Sequence, residues 1–126
     1  MGTKNSELTK AASDVLFERR RQVGTEGWSP DHDDQHKNGE MPLAAGLYAI
    51  SAGFALKYLD GETKTCPVPD GWPWASEWWK PSNARQDLVK AGALILAEIE
   101  RIDRFAFREL HLCNGGSGAG PECEEC

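Results

Sequence analysis

Positive charge is in short supply in this chain of 126 residues: 14 Lys and Arg stand against 20 Asp and Glu, a formal net charge of −6. Proteins that bind nucleic acid need cationic side chains to neutralise the backbone phosphates. The charge balance therefore argues against DNA or RNA as the main partner. Long apolar runs are also missing. The uncharged stretch 41–56 is shorter than the roughly 20 apolar residues that cross a bilayer, so we expect no membrane partner.

Cysteine is scarce, with four residues in the chain. The first fifteen residues are polar and lack the apolar segment of a secretory signal peptide, so we expect a cytosolic protein with reduced thiols and no disulfide framework. Two interpretations of the C-terminal region stay open. Residues 113–126 are a flexible tail with a Gly-rich linker at 114–121, or a tetrahedral zinc site forms from four of its potential ligands, His111, Cys113, Cys123 and Cys126.

The periodicity of apolar residues predicts an all-α fold with three main helices, at 7–23, 42–59 and 81–107. We expect a single helical domain over residues 1–112. A long loop rich in Trp and Pro separates the second helix from the third, because its prolines suit neither helix nor central strand.

The third helix is the strongest, and Ser82 or Asn83 is its predicted N-cap. Its apolar residues share one face, which we predict to be core: Leu88, Ala91, Gly92, Ile95, Ile99 and Ile102. Another face fits a solvated surface of ion pairs and includes Asp87, Lys90, Glu98 and Arg101, with Leu94 among them. The second helix is apolar nearly all round, so we expect it to be the central and most enclosed one.

An arginine lies within the apolar stripe of the first helix. Because an unpaired buried charge is costly, Arg19 must extend to solvent or find an anionic partner. One interpretation is an internal salt bridge, to Glu98 or Asp103 for example. The other is that an arginine of the run 19–21 faces a cleft and holds a phosphate or carboxylate of a ligand.

The segment after the first helix combines a capping signal with two histidines. Ser29 as N-cap and Pro30 at the first helical position predict a short helix. His32 and His36 then lie one turn apart beside Asp33, a spacing suited to zinc or another divalent metal. The alternative is a polar loop in which the aspartates cap helices.

Four of the five tryptophans fall within residues 72–79, interrupted by proline. One interpretation is that these indoles cover the core as a lid, since each aromatic ring buries roughly 150–250 Å². The other is that one or two present a flat face that stacks on a purine or another planar ligand.

Several motifs resemble a group of small proteins encoded by phages and prophages. They are Glu26-Gly-Trp28, His32-Asp-Asp-Gln-His36, Trp72-Pro-Trp74, Trp78-Trp-Lys-Pro81, Arg85-x-Asp-Leu-Val-Lys-Ala91 and Ala97-Glu-Ile-Glu-Arg-Ile-Asp-Arg104. This resemblance implies a phage context, in the cytosol of a host cell, without implying a reaction.

A looser similarity links the chain to ryanodine-receptor-type repeat (RyR) domains. It rests on the order of five elements, which are Arg21, Gly27-Trp28, Asp33-Asp34, Pro73-Trp74 and Asn83 with Arg85. It implies a small helical domain that binds nucleotide-like ligands without cleaving them.

We therefore expect a phage-encoded protein that captures a nucleotide-derived small molecule and in this way sequesters a host immune signal. Positive side chains would hold phosphates, namely Arg19, Arg21, Lys80 and Arg85. Indoles would stack on the base, and the candidates are Trp28, Trp74 and Trp79. Gln22 and the hydroxyl of Tyr48 would complete the site. Such binding needs no cofactor. We also expect a homo-oligomer, because a thin three-helix domain leaves an apolar patch.

Two other functions fit parts of the pattern. A metal-dependent nucleotide phosphohydrolase or pyrophosphohydrolase would use His32, Asp33 and His36 with Glu98 or Asp103. Alternatively, the acidic surface would block a host defence nuclease by mimicking nucleic acid.

Overall fold

A computed structural model of the chain describes residues 7–115 and, within them, the side chains of residues 7–107. The helices are α1 (Lys10–Gly24), α2 (Pro30–Asp33), α3 (Glu40–Tyr58) and α4 (Ala84–Gly115). A 3₁₀ turn at Ser76–Trp78 interrupts the Trp- and Pro-rich loop. Three long helices and no strand in this range confirm the predicted all-α fold.

The chemistry of the caps explains where α1, α2 and α4 begin. Thr9 accepts a hydrogen bond from the backbone N–H of Ala12 at the start of α1, at 3.0 Å. Ser29 accepts one from His32 at 3.2 Å, so α2 begins as its sequence predicts. Asn83, one of the two predicted caps of α4, accepts the N–H of Gln86 at 2.9 Å.

The central helix is α4, which packs against α1, α2 and α3. The prediction that α3 is the most enclosed helix is wrong. Small residues let α3 approach its neighbours on one side only, and those that are 0–1 % exposed are Ala44, Ala45, Ala52 and Ala55. On its other side Leu43, Ile50 and Phe54 are 55–59 % exposed. None of the helices in residues 7–115 is long and apolar enough to cross a membrane.

The buried face of α4 differs from the face that periodicity selects. Asp87 and Leu94, assigned to the solvated side, are 0 % and 2 % exposed. Of the six residues predicted to form the core face, Ala91 is buried and Gly92 meets the side chain of Val15. The four large ones are 44–48 % exposed, and they are Leu88, Ile95, Ile99 and Ile102. The prediction fails because α3 packs on the face of α4 that carries the charged residues. Hydrogen-bond and ion-pair partners satisfy those charged groups there.

Those partners are specific. Asp87 accepts a hydrogen bond from the Ser82 backbone N–H at 2.9 Å and another from the Thr63 hydroxyl. Glu98 pairs with Arg101 at 2.9 Å on the same face. Buried polar groups are tolerated when they are hydrogen-bonded. Asp87 thereby ties both ends of the Trp- and Pro-rich loop to the first turn of α4.

The predicted domain boundary at residue 112 falls inside α4, which continues to Gly115. The proposed zinc ligands all lie outside the described side chains: His111, Cys113, Cys123 and Cys126. That hypothesis stays a prediction.

Replacing Asp87 should destabilise the fold. Asp87→Ala leaves the Thr63 hydroxyl and the Ser82 N–H buried without an acceptor, and each hydrogen bond to a charged group is worth about 1.5–3 kcal/mol. We expect the free energy of unfolding, measured by urea denaturation, to fall by at least that amount. The neighbouring exposed residue gives the control, because Gln86→Ala should change it by less than about 0.5 kcal/mol. Equal effects of the two substitutions would contradict this role of Asp87.

Candidate ligand-binding cleft

An aromatic cavity of about 240 Å³ lies between α2, the start of α3 and the Trp- and Pro-rich loop. Its lining is mainly rings: Trp28, His32, Asp33, His36, Met41, Trp74, Ala75 and Trp78. A narrower cleft shares three of these indoles and runs from the cavity toward α1 and α4.

Local backbone geometry brings Trp28 to this position. Gly27 adopts a left-handed conformation with φ of 79°, which glycine tolerates because it has no Cβ. The chain therefore folds back after α1, and the Trp28 N–H donates to the carbonyl of Gln22 at 2.9 Å. The cap at Ser29 then fixes α2, and the rings of Trp28 and His32 stack with an interplanar angle of 3°.

Indole contacts join this segment to the loop. The Trp28 ring centroid is 5.9 Å from that of Trp74 and 6.1 Å from that of Trp78. His36 closes the other side, 5.4 Å from Trp74. Aromatic rings at these separations attract one another beyond simple area burial. The cavity therefore has an aromatic wall contributed by two segments distant in sequence, residues 28–36 and residues 74–78.

Two polar atoms at the narrow cleft have no hydrogen-bond partner within the described part of the chain. They are the Gln22 Oε1, on a residue only 2 % exposed, and the Trp74 Nε1. The Gln22 amide nitrogen donates to Glu18 at 3.2 Å, and a carboxylate accepts only, so the amide oxygen points away from Glu18. The residues that line the cleft thus include one unused buried acceptor and one unused buried donor. Leaving such groups unpaired is costly.

Beyond the narrow cleft lies an open depression of about 530 Å³ between α1 and α4. Three cations line it, Arg21, Lys80 and Lys90, together with three carboxylates, those of Asp14, Glu18 and Glu26. The formal charges therefore cancel.

The cations of this depression differ in how they are held. Arg21 pairs with Glu18 at 2.9 Å and Glu26 at 3.0 Å, and its hydrogen bond to Glu18 raises its pKa. Lys90 lies over the Tyr48 ring and donates to the Lys80 carbonyl. Burial lowers the pKa of Lys90.

The narrow cleft brings together six of the nine residues predicted to bind ligand. These six are Arg21, Gln22, Trp28, Tyr48, Trp74 and Lys80. Of them, Tyr48 is 4 % exposed, and its hydroxyl accepts the Lys80 backbone N–H at 2.9 Å. Tyr48 thus supports the wall of the cleft and holds the loop against the core.

Three predicted ligand residues lie elsewhere. Arg19 is buried, pairs with Asp33 at 2.9 Å and Glu100 at 3.0 Å, and so forms an internal salt bridge. Trp79 is 8 % exposed in the core and donates to the Cys66 carbonyl. Arg85 pairs with Asp14 at 2.9 Å and lines neither the aromatic cavity nor the narrow cleft.

The ion pair between Arg19 and Asp33 also bears on the predicted metal site, because it occupies one of the three predicted ligands. Asp33 is fully buried against the guanidinium, while His32 and His36 make an edge-to-face contact at 4.8 Å between ring centroids. Among the described residues there is no group of three or more His, Cys, Asp or Glu side chains that could hold a metal ion. His32, Asp33 and His36 instead form part of the cavity wall.

Sequence reasoning missed several lining residues, Trp78 and Lys90 among them. Trp78 belongs to the tryptophan cluster, but only the 3₁₀ turn at Ser76–Trp78 decides that it faces the cavity while Trp79 enters the core. Periodicity assigns Lys90 to a solvated face of α4. Its place one turn after Asp87, on the face that also carries Leu94, was the available signal.

Comparisons of this chain with protein-family models, with curated proteins and with solved structures give no match. The similarities to phage proteins and to RyR domains therefore stay hypotheses based on the sequence motifs.

The buried phenol of Tyr48 predicts a dependence of stability on pH. Burial raises the pKa of Tyr48 from 10.0 to about 12. Between these values the unfolded chain loses the phenolic proton while the folded chain keeps it. Stability should therefore fall as pH rises from about 10 to about 12, by about 1.4 kcal/mol per pH unit.

Denaturant titrations across this pH range measure the effect, and Tyr48→Phe should remove it. Because the chain has two tyrosines, Tyr58→Phe isolates Tyr48 in an absorbance titration of the phenolate. Complete ionisation of Tyr48 near pH 10 in the folded variant would contradict the prediction.

Proposed function

We propose that this protein binds a nucleotide-derived small molecule and holds its base in the aromatic cavity without cleaving it. The observation that carries the proposal is the juxtaposition of an indole-walled cavity with an unpaired buried donor and acceptor in the adjoining cleft.

The size and lining of the cavity favour a planar ring system. Pockets for drug-sized ligands measure roughly 300–1,000 Å³, so a volume of about 240 Å³ suits one base better than a whole dinucleotide. Each base–aromatic stacking contact contributes roughly 1–3 kcal/mol. Trp78 is the best-placed indole for this, since it is 38 % exposed and lines the cavity.

The narrow cleft favours a ligand edge with mixed polarity. Gln22 Oε1 needs an N–H or O–H from the ligand, and Trp74 Nε1 needs a ring nitrogen or a carbonyl oxygen. Nucleobases and carboxamides carry such donors and acceptors side by side, whereas hydrocarbon rings do not. A molecule without this edge would leave both protein groups unpaired, which supports discrimination against it.

The balanced charge of the open depression limits the number of phosphates that the ligand carries. Arg21 already has two carboxylate partners, whereas Lys80 and Lys90 hold cation–π contacts that a phosphate oxygen would supplement. Three carboxylates nearby repel additional negative charge. We infer a ligand with few phosphates, such as a nucleoside monophosphate or a cyclic or ribosylated derivative.

Binding fits this site better than hydrolysis does. Among the described residues, Asp33 is the only carboxylate on the wall of the aromatic cavity, and its bond to Arg19 leaves it unsuited to bind metal or activate water. In the phage setting that the motifs suggest, capture without turnover would sequester a host signal. The proposal includes the host cytosol as its location and self-association of the protein.

A ligand panel tests the proposal. Nucleosides, nucleoside monophosphates, cyclic nucleotides and ADP-ribose derivatives are added singly, and melting temperature and tryptophan fluorescence are recorded. We expect at least one of them to raise the melting temperature, because a ligand that binds only the folded state stabilises it. Trp78→Ala should then weaken binding roughly fivefold to 100-fold through lost stacking.

Two further variants make the test specific. Gln22→Met keeps the side-chain length but removes the amide oxygen, and we expect about tenfold weaker binding. Phe54→Ala is the control, because Phe54 is exposed on α3 and lines no cavity wall described above. The proposal would be refuted if no compound of the panel bound, or if Trp78→Ala left the binding affinity unchanged. Metal-dependent loss of the nucleotide would point to the phosphohydrolase instead.

A further inference from the structure

The helix α4 carries a stripe of large apolar side chains that nothing in the described chain covers fully. The α4 stripe consists of Leu88, Ile95, Ile99 and Ile102, each 44–48 % exposed. Monomeric proteins seldom leave an extended apolar patch in water, and such patches mark interaction sites.

The spacing of the stripe is that of a helix–helix seam. Steps of seven, four and three residues separate its members, and Gly92 occupies the position between Leu88 and Ile95 that completes the alternation of four and three. This alternation is the coiled-coil repeat, in which each side chain fits between four residues of a facing helix. The occupant that the stripe fits is therefore another helix with matching spacing.

The neighbours of α4 leave room for such a helix. On one flank of the stripe, Val15 of α1 packs against Gly92, 3.2 Å from the position a Cβ would take. On the other flank, Ala91 and Leu94 join the core formed with α3. The stripe lies between these two contacts.

We propose that the stripe is covered by a second copy of this chain, with the two α4 helices antiparallel about a two-fold axis. The axis passes near residues 93 and 94. Leu88 then lies against the partner's Ile99, and Ile95 lies near the axis, while Gly92 keeps its contact with Val15 of its own chain. A two-fold interface uses the same surface on both subunits.

The charges at the two ends of the stripe favour an antiparallel orientation of the two α4 helices. Arg85 precedes the stripe and Asp103 follows it, and both are exposed. They are eighteen positions apart, which is five full helical turns at 3.6 residues per turn, so they share one flank. The antiparallel arrangement places Arg85, whose guanidinium also pairs with Asp14 of its own chain, near the partner's Asp103. A parallel pair would instead separate Arg85 from the partner's Asp103 by eighteen residues along the helix axis, so this attraction would be lost.

The interface and the ligand cleft are independent. Lys90, which lines the cleft, lies two positions after Leu88 and therefore about 200° away around α4. Association through the stripe consequently leaves the cleft open, and the inference stands whether or not the proposed ligand binds.

Sedimentation equilibrium tests the self-association. We expect the full-length chain to be a dimer and Ile95→Asp to weaken dimerisation at least tenfold. Ile50→Asp is the matched control: Ile50 is 57 % exposed on α3, outside the stripe, and this variant should dimerise as the wild type does. Circular dichroism verifies that both variants keep their helices. A wild type that stays monomeric at every soluble concentration, or dissociation by Ile50→Asp alone, would overturn the proposal.

Cysteine cross-linking tests the direction in a background whose native cysteines are replaced by serine. Leu88→Cys and Ile99→Cys chains should form a disulfide when mixed and oxidised, because bridged Cα atoms must lie within about 7 Å. Leu88→Cys alone should stay uncross-linked. Efficient cross-linking of Leu88→Cys to itself would show a parallel pair and exclude the antiparallel geometry.

Discussion

The buried guanidinium of Arg19 is the constraint on which the candidate cleft depends. It extends from α1 to Asp33 of α2 and Glu100 of α4, so one side chain links three helices. Removing a partner from such a pair leaves an uncompensated charge in the interior, and this strongly favours the observed arrangement. Because α2 is only four residues long, it has little packing of its own. Its position, and with it that of the cavity wall, depends on this ion pair and on Arg104 of α4, which donates to the Pro30 carbonyl and pairs with Asp34.

A second set of contacts places the tryptophans. Asp87 secures the two ends of the loop, and Tyr48 holds the Lys80 backbone, so the loop is fixed at both sides of the indole cluster. Two tryptophans with similar sequence surroundings therefore take different roles: Trp79 fills the core and Trp78 faces the cavity. The same loop thus works both as a lid on the core and as a wall of the cleft, and the two interpretations of the tryptophan cluster are compatible.

Much of the cleft could be anticipated from residue types. Trp28 and Trp74 are flat aromatic residues in segments with strong turn signals, and Gln22 lies at the edge of the α1 stripe. Arg19 and Arg85 could not be assigned correctly, because a guanidinium binds a protein carboxylate as readily as a ligand phosphate. Which of these partners is nearby depends on residues such as Glu100 and Asp14, far away in sequence.

The sequence by itself determined the three main helices and the caps of α2 and α4, since periodicity and capping are local properties of neighbouring residues. It also determined that indoles and a run of arginines are the prominent side chains. Only the tertiary structure decided which face of α4 is buried. Periodicity identifies an apolar face, but a face is buried only where another element packs on it. The opposite face of α4 became available to α3 because its charged side chains have hydrogen-bond or ion-pair partners. The apolar stripe was left at the surface as a consequence.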